Sequence, residues 1–304
     1  MHSLPFNQPG RFWRGNLHTH STISDGGLTP EQVCALYREA GYDFIALTDH
    51  FMPGFDWQLA DTRPFRTSDF TTLIGAELHA PTTEFGILWH ILAVGLPLDF
   101  APNPENETGV TLAARALAAG AFVTIAHPDW YHLSEPDANT LDGVHAVEVF
   151  NGTSIDHNDK PGGWSLLDIL LARRRRLNAL ATDDAHIKPP RADTLLGWTM
   201  VKSEANTPEM LLESLKAGHY YSSTGPAIYD VQLLPGNALS VRCSPAERIF
   251  VTGTGWQAAS VYGNGLSAAE ISLAKFDSPY VRVTVRDAKG GRAWSNPIWL
   301  DGAP

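Results

Sequence analysis

Asn16-Leu17-His18-Thr19-His20-Ser21-Thr22-Ile23-Ser24-Asp25-Gly26 follows on from an apolar run that begins at Phe12. Alternate residues of a strand point to one side, so His18 and His20 bring two imidazoles to one point in space. The same logic recurs along the chain. His50 ends Phe44 to His50 as Leu47-Thr48-Asp49-His50, and Glu77 ends Thr71 to Glu77 as Gly75-Ala76-Glu77. His127 ends Phe122 to His127 as Thr124-Ile125-Ala126-His127-Pro128, and Asp183-Asp184-Ala185-His186 follows the Leu177–Leu180 run. Five strand ends thus present imidazole or carboxylate. In parallel α/β folds, ligands bind at the C-terminal edge of the strands. Imidazole and carboxylate are ligand types for zinc, manganese and iron. One such histidine is most simply a satisfied structural residue. Five strand ends in agreement imply a metal site, because burying these groups without a cation costs several kcal/mol per unpaired charge.

Further strand-like runs are Trp89 to Leu96, Ala146 to Phe150 and Trp198 to Lys202. Helical patterns fall between them at Pro30 to Ala40, Val110 to Ala119, Trp164 to Arg176, and from Thr207-Pro208-Glu209 to Gly218. Thr29 before Pro30, and Thr207 before Pro208, are N-cap signals, and Gly41 and Gly218 are stops. The alternation predicts βα units around a mostly parallel sheet or barrel. After Ser222-Ser223-Thr224-Gly225-Pro226 the pattern changes to short period-two runs with turn dipeptides at Pro235-Gly236, Asn264-Gly265 and Gly290-Gly291. The expected organisation is an α/β domain over 1–226 and a small all-β, sandwich-like module over 227–304. Within the module, only Ala268 to Leu273 reads as helical.

The chain has 304 residues, 43% hydrophobic and 18% charged, which excludes disorder. Lys and Arg total 22 against 33 Asp and Glu, a net charge of −11, so a nucleic-acid-coating protein is not expected. The one basic block, Arg173 to Arg176, reads as a helix C-terminus. Cys34 and Cys243 have neither disulfide-framework nor CxxC spacing. No apolar leader opens the chain and no apolar stretch is long enough to span a membrane, so a cytoplasmic protein is expected. GxSxG is absent, and Gly253-Thr254-Gly255 lacks the lysine of a phosphate loop.

Together with Ala46-Leu47-Thr48-Asp49-His50, Ala126-His127-Pro128 and Thr182-Asp183-Asp184-Ala185-His186, the opening stretch resembles the polymerase and histidinol phosphatase (PHP) family. These motifs stand in order over residues 16 to 186. Arg14-Gly15-Asn16, Ser222-Ser223-Thr224-Gly225-Pro226 and Cys243-Ser244-Pro245-Ala246 resemble, more widely, the branch with carbaryl-type carbamate hydrolases. The resemblance implies a distorted (β/α)₇ barrel holding two or three divalent ions of zinc, manganese or iron. It implies that His18, His20 and Asp184 bind the first ion, with Glu77 bridging to the second. His127 would hold the second ion with His90 as partner, His79 being the other candidate and more plausibly an outer group. Asp25, His50 and His186 would form the third position, although some relatives carry histidine where Asp25 stands. Asp49 and Asp183 read as structural hydrogen-bonding residues.

The chemistry so implied is hydrolysis by metal-activated water, with Glu77 and Asp184 at the centre and His186 or Asp25 assisting the leaving group. A phosphate ester would need a cationic clamp. Candidates are Arg63, Arg66, Lys160, Lys188 and Arg191. An aryl carbamate or ester would want apolar walls, for which Phe51, Phe55, Trp57, Trp130, Tyr131 and Trp164 are available. His132 and Asn151 are further candidates for a pocket mouth. His2, His145, His157 and His219 read as structural or surface residues. The expected activity is phosphoester hydrolysis of a small molecule or nucleotide, with carbamate or aryl ester hydrolysis as runner-up. A non-catalytic, metal-stabilised binding domain is the third reading. Neither a nucleic-acid polymer nor a membrane is an expected partner, and the oligomeric state is left open.

Overall fold

The computed structural model describes residues 4–160 and 162–300, so His2 lies outside it. β1 (Arg11–Asn16) leads through the His18 loop to α1 (Pro30–Glu39). Thr29 caps α1 by accepting the Gln32 N–H, and the Gln32 side chain accepts the Thr29 N–H in return. β2 (Phe44–Leu47), β3 (His50–Phe51), β4 (Thr71–Ala80) and β5 (Trp89–Val94) follow. Next come α2 (Gly109–Ala118), β6 (Phe122–Ile125), α3 (Glu135–Thr140), β7 (Ala146–Asn151) and α4 (Gly152–Asn158). α5 (Trp164–Ala172), β8 (Asn178–Thr182), β9 (Trp198–Ser203), α6 (Pro208–Lys216) and β10 (Tyr220–Ser223) complete the α/β part. The remaining strands are β11 (Ile228–Leu234), β12 (Ala238–Thr252), β13 (Ala258–Ser272), β14 (Tyr280–Arg286), β15 (Arg292–Ser295) and β16 (Ile298–Trp299).

One sheet runs in the order β11-β12-β14-β15-β10-β9-β1-β2-β4-β5-β6-β7-β8. β1–β2, β2–β4, β6–β7 and β7–β8 are parallel, as the alternation predicts. β5 departs from it. It runs antiparallel to both β4 and β6, because Ala80 to Trp89 is a short loop with no crossover helix. β9 is likewise antiparallel to β1 and β10.

No ladder pairs β8 with β1 among the described residues, so the result is a mixed α/β fold with a large sheet rather than a barrel laddered all round. The sheet is nonetheless curled. Asp184 N donates to His18 O at 2.8 Å and His20 N to Ala185 O at 2.9 Å, joining the two strands just past their ends. Along β8, Ser222 Oγ donates to Ala179 O and accepts from Ala181 N, both at 2.9 Å. A buried cluster that includes Leu17, Phe44, Leu73, Leu92, Phe122 and Leu180 packs among these strands.

The C-terminal strands are joined to the α/β part by a ladder. β15 pairs with β10, so they continue the same sheet. Their apolar face, with Val231, Leu239, Val241, Ile249 and Val283, packs with Phe6 and Phe12 from the chain's start. Ala268 to Leu273 is not helical: Ala268 to Ser272 belongs to β13, paired residue by residue with β12. Pairing along a whole strand overrides the helix preference of two alanines. After α5, Arg173 pairs with Glu135 and Arg175 donates to the carbonyls of Ala138 and Leu141. The basic block therefore ties α5 to α3.

Candidate metal centre

The curled sheet carries the strand ends to one place. His18 and His20 lie past β1, and His50 begins β3 beside Glu77 of β4 in parallel register. His90 comes from β5, His127 follows β6, and Asp184 and His186 follow β8. Asp184 has φ +53°, a left-handed turn that sends its carboxylate and that of Asp183 in different directions.

Glu77 is central and buried. Its Oε1 is 2.6 Å from His90 Nδ1 and 2.9 Å from His127 Nε2. Its Oε2 is 2.7 Å from His50 Nδ1 and 3.7 Å from Nε2 of both His18 and His20. Asp184 Oδ1 lies 2.8 Å from His20 Nε2 and 3.2 Å from His18 Nε2. Asp25, half exposed, faces His50 Nε2 at 3.5 Å and His186 Nε2 at 3.4 Å. Several sets of ligand atoms lie within 4.8 Å of one another: His18, His20 and Glu77; His18, His127 and Asp184; Glu77, His90 and His127; His20, Asp25, His50 and His186; and His50, Glu77 and His79.

Does this donor set fit a cation? His18 presents its Nδ1 to Glu148 Oε1 at 2.8 Å, and a carboxylate is an acceptor, so that nitrogen carries hydrogen. Its Nε2 is buried without a hydrogen-bond partner and faces Asp184 and Glu77. In the neutral ring that atom is a lone pair among carboxylate oxygens, an arrangement that needs positive charge between them. Burial works against a charged His18, yet Asp184, Glu148 and Glu77 raise it well above the usual histidine range. Burial would likewise raise Glu77, but His50, His90 and His79 hold it well below the carboxylate range. The residues fit divalent cations. Stripping the chain with a chelator and restoring zinc or manganese at about 1,000 times its dissociation constant should add about 4 kcal/mol. That is a rise in Tm on the order of 10 °C, measurable by calorimetry. An unchanged Tm would mean that this set holds no ion.

The surrounding groups explain the order. Glu148, fully buried in mid-strand on β7, accepts from His18 Nδ1, Thr182 Oγ1, His127 N and Asn151 Nδ2. Asn151 also donates to Asp184 Oδ2 and caps α4 through Ser154 N, so it is buried structure rather than a pocket mouth. Asp49 accepts from both the N–H and the hydroxyl of Ser21 and of Ser24, fixing the loop that carries Asp25. Asp183 accepts from Asn16, Tyr37 and the N–H groups of Leu195, Leu196 and Gly197. Burial pushes its carboxyl up to about 6 against those donors. Glu148 lies in mid-strand on β7, away from the strand ends at which ligands are expected. Its signal was a charge inside the apolar run Val147-Glu148-Val149-Phe150.

The expected clamp and walls divide. Arg63 pairs with Asp61, Arg66 with Thr72, and Lys160 with His132, while Lys188 is exposed. Arg191 has a buried Nη1 with no protein partner, and its charge acts on His186. Tyr131 is buried with its ring 5.1 Å from that of His90, and Trp130 lies 6.1 Å from His127 and stacks on His157. Phe55 stacks on His50 at 5.9 Å. Phe51 belongs to the core, and Trp164 packs on Trp294 and Arg282, so neither lines the centre.

No family model matches the chain, and no curated protein does. One solved structure that it resembles contains a PHP-like phosphoesterase domain, so named by prediction. That two-domain protein, from Bacteroides vulgatus, is 15% identical, with 95% of this chain and 97% of that one covered at a TM-score of 0.49. An amidohydrolase from Chromobacterium violaceum, with bound sulfate and no metal, is 16% identical over 57% of this chain and 87% of its own, at a TM-score of 0.42. No helix of the described residues is long and apolar enough to cross a membrane.

Proposed function

We propose that the chain is a metal-dependent hydrolase of the PHP type that cleaves a small phosphate ester by attack of water. The observation that carries the hydrolase reading is the orphaned His18 Nε2 facing Asp184 and Glu77, with Glu77 reaching a second set of imidazoles through its other oxygen. Two or three divalent ions held there, of zinc, manganese or iron, would supply Lewis acidity and a water acidic enough to attack at neutral pH.

The chain's own residues do the rest. Glu77 and Asp184 hold negative charge where cations are needed, and Glu148 keeps the His18 ring turned inward. His186 and Asp25, at 3.4 Å, sit at the more open side of the cluster, where a proton can be passed to a departing alkoxide. Arg191, whose charge acts on His186, supports phosphate over a neutral ester, because a guanidinium near the cluster would attract the charge of a phosphoryl group. Two buried, unpaired cysteines suit a cytoplasmic enzyme.

Carbamate or aryl ester hydrolysis is the second reading. It is favoured by Phe55 stacked on His50, and by exposed Phe85, Ile87 and Leu88 in the loop between the strands that carry His79 and His90. The deciding experiment assays p-nitrophenyl phosphate and nucleoside monophosphates beside 1-naphthyl methylcarbamate and p-nitrophenyl acetate, with manganese or zinc restored. Phosphate release should dominate and vanish in His18→Ala. Turnover of the carbamate or acetate with no phosphate released would overturn the substrate class. In Arg191→Ala the KM for the phosphate ester should rise roughly 10- to 100-fold, the value of a charge-assisted hydrogen bond. An unchanged KM would remove Arg191 from the site.

A further inference from the structure

Away from the metal centre, one face of the C-terminal strands carries a charge opposite to that of the chain as a whole. The net charge is −11, yet Arg248 on β12, Arg286 on β14 and Arg292 on β15 stand opposite one another in register. The next row is Phe250, Thr284 and Trp294, and the one after it is Thr252 and Arg282. Residues two apart on a strand share a face, so these rows form one surface. The other face of the same strands, with Ile249, Val251, Val283 and Val285, belongs to the buried core. Like charges directly opposite one another destabilise a sheet. Arg248 is relieved by the Tyr262 ring, 4.7 Å below its guanidinium, and Arg286 by Glu247 at 3.7 Å. The guanidinium of Arg292 has no partner among the described residues. Its backbone is nonetheless fixed, since Arg292 N donates to Thr224 Oγ1 at 2.9 Å and Thr224 N to Arg292 O at 2.8 Å.

A cavity of about 240 Å³ opens on this surface, lined by Arg292, Phe250 and Trp294 of the sheet and by Trp164 of α5. Its wall is held in place from behind. Arg282 donates through Nε and Nη2 to the two oxygens of Asp168, at 3.0 and 2.8 Å, and lies 4.0 Å over the Trp164 ring. Trp164 in turn packs on Trp294, with ring centroids 5.9 Å apart. The Trp164 Nε1–H is buried and has no acceptor. A free guanidinium and an unsatisfied N–H beside one aromatic-walled cavity both call for an acceptor that carries negative charge. We propose that this cavity binds a small organic anion, a carboxylate or phosphate carried on a ring, with the charge on Arg292 and the ring against Trp164 and Phe250. Ligand pockets commonly hold roughly 300–1,000 Å³, so this one takes a single ring with its anionic group. No candidate metal ligand lines it, and the inference goes beyond the hydrolase reading without resting on it.

The test follows tryptophan fluorescence of the full chain, with manganese restored, as benzoate or glucose 6-phosphate is added. Benzamide and glucose are the neutral controls. At least one of the two anions should saturate the signal, and its neutral counterpart should bind about 10-fold more weakly or worse. Saturation by benzoate identifies an aryl acid, and saturation by glucose 6-phosphate a sugar phosphate. Arg292 is exposed, so Arg292→Gln should keep the fold and weaken the anion about 10- to 100-fold. Trp164→Phe keeps an aromatic wall but removes the N–H, and should cost roughly 2- to 10-fold. The His18→Ala chain should bind the anion as the wild type does, which separates this cavity from the metal centre and this inference from the hydrolase reading. The proposal is overturned if neither anion saturates, if the neutral counterpart binds as well, if Arg292→Gln leaves the affinity unchanged, or if binding is lost in His18→Ala.

Discussion

Glu77→Gln will keep its fold and lose kcat/KM by more than about 10³-fold, beyond the roughly 10²- to 10³-fold that loss of a single transition-state donor costs. The reason is geometric. One carboxylate oxygen reaches His90 and His127, and the other reaches His50 and faces His18 and His20. No other described residue joins as many of the candidate ligand sets. An amide at this position is neutral, offers one oxygen in place of two, and turns N–H donors towards imidazoles whose lone pairs face the cations. The excess negative charge disappears where positive charge must sit. Metal content measured by mass spectrometry should fall with activity, and circular dichroism should be unchanged. A Glu77→Gln chain with full metal content and a tenth of the wild-type rate would show that the bridge is unnecessary.

The two halves of the centre were unequally legible in the sequence. His50 and His127 are legible because each ends an apolar run and His186 because it follows one, whereas the strand expected to carry His18 and His20 stops at Asn16 and leaves both just past its end. The caps at Thr29 and Thr207 are local chemistry, and the helices begin where they say. Pairing is not local. Nothing in the burial of Trp89 to Val94 says that β5 runs against its neighbours, since a strand buried on both faces reads the same in either direction. The joining of β15 to β10 links Ser222 to Trp294, across some seventy residues that show only turns and alternation. Glu148 is hidden for another reason: it sits in mid-strand, and its chemistry appears only when other elements supply its partners, His18 and Thr182 among them.

Glu148 carries the other large expected effect, and it falls on stability as much as on activity. This carboxylate is fully buried on β7 and accepts from four donors, which arrive from the residues after β1, from β8, from the backbone after β6 and from the end of β7 itself. It therefore fastens together the elements that present His18, His127 and Asp184. Glutamine has nearly the same shape but brings an NH₂ group where only acceptors are wanted. Whichever way the amide is turned, it meets either His18 and Thr182 or the His127 N–H and Asn151. At least one buried donor loses its acceptor, at about 1–3 kcal/mol each, and the network loses its charged member. Glu148→Gln should lower stability by roughly 2–4 kcal/mol and Glu148→Ala by more, on the scale of about 3–5 kcal/mol for breaking a buried ion pair. His18 would also lose the acceptor that sets its tautomer, so metal affinity should fall about 10- to 100-fold even where the variant still folds. Urea unfolding with and without restored manganese separates the two effects. The glutamine variant should be destabilised in both conditions, and more so with metal present, because it gains less from the ion. If its unfolding midpoint matched the wild type in chelator, the four hydrogen bonds to Glu148 would not be what holds these strand ends together.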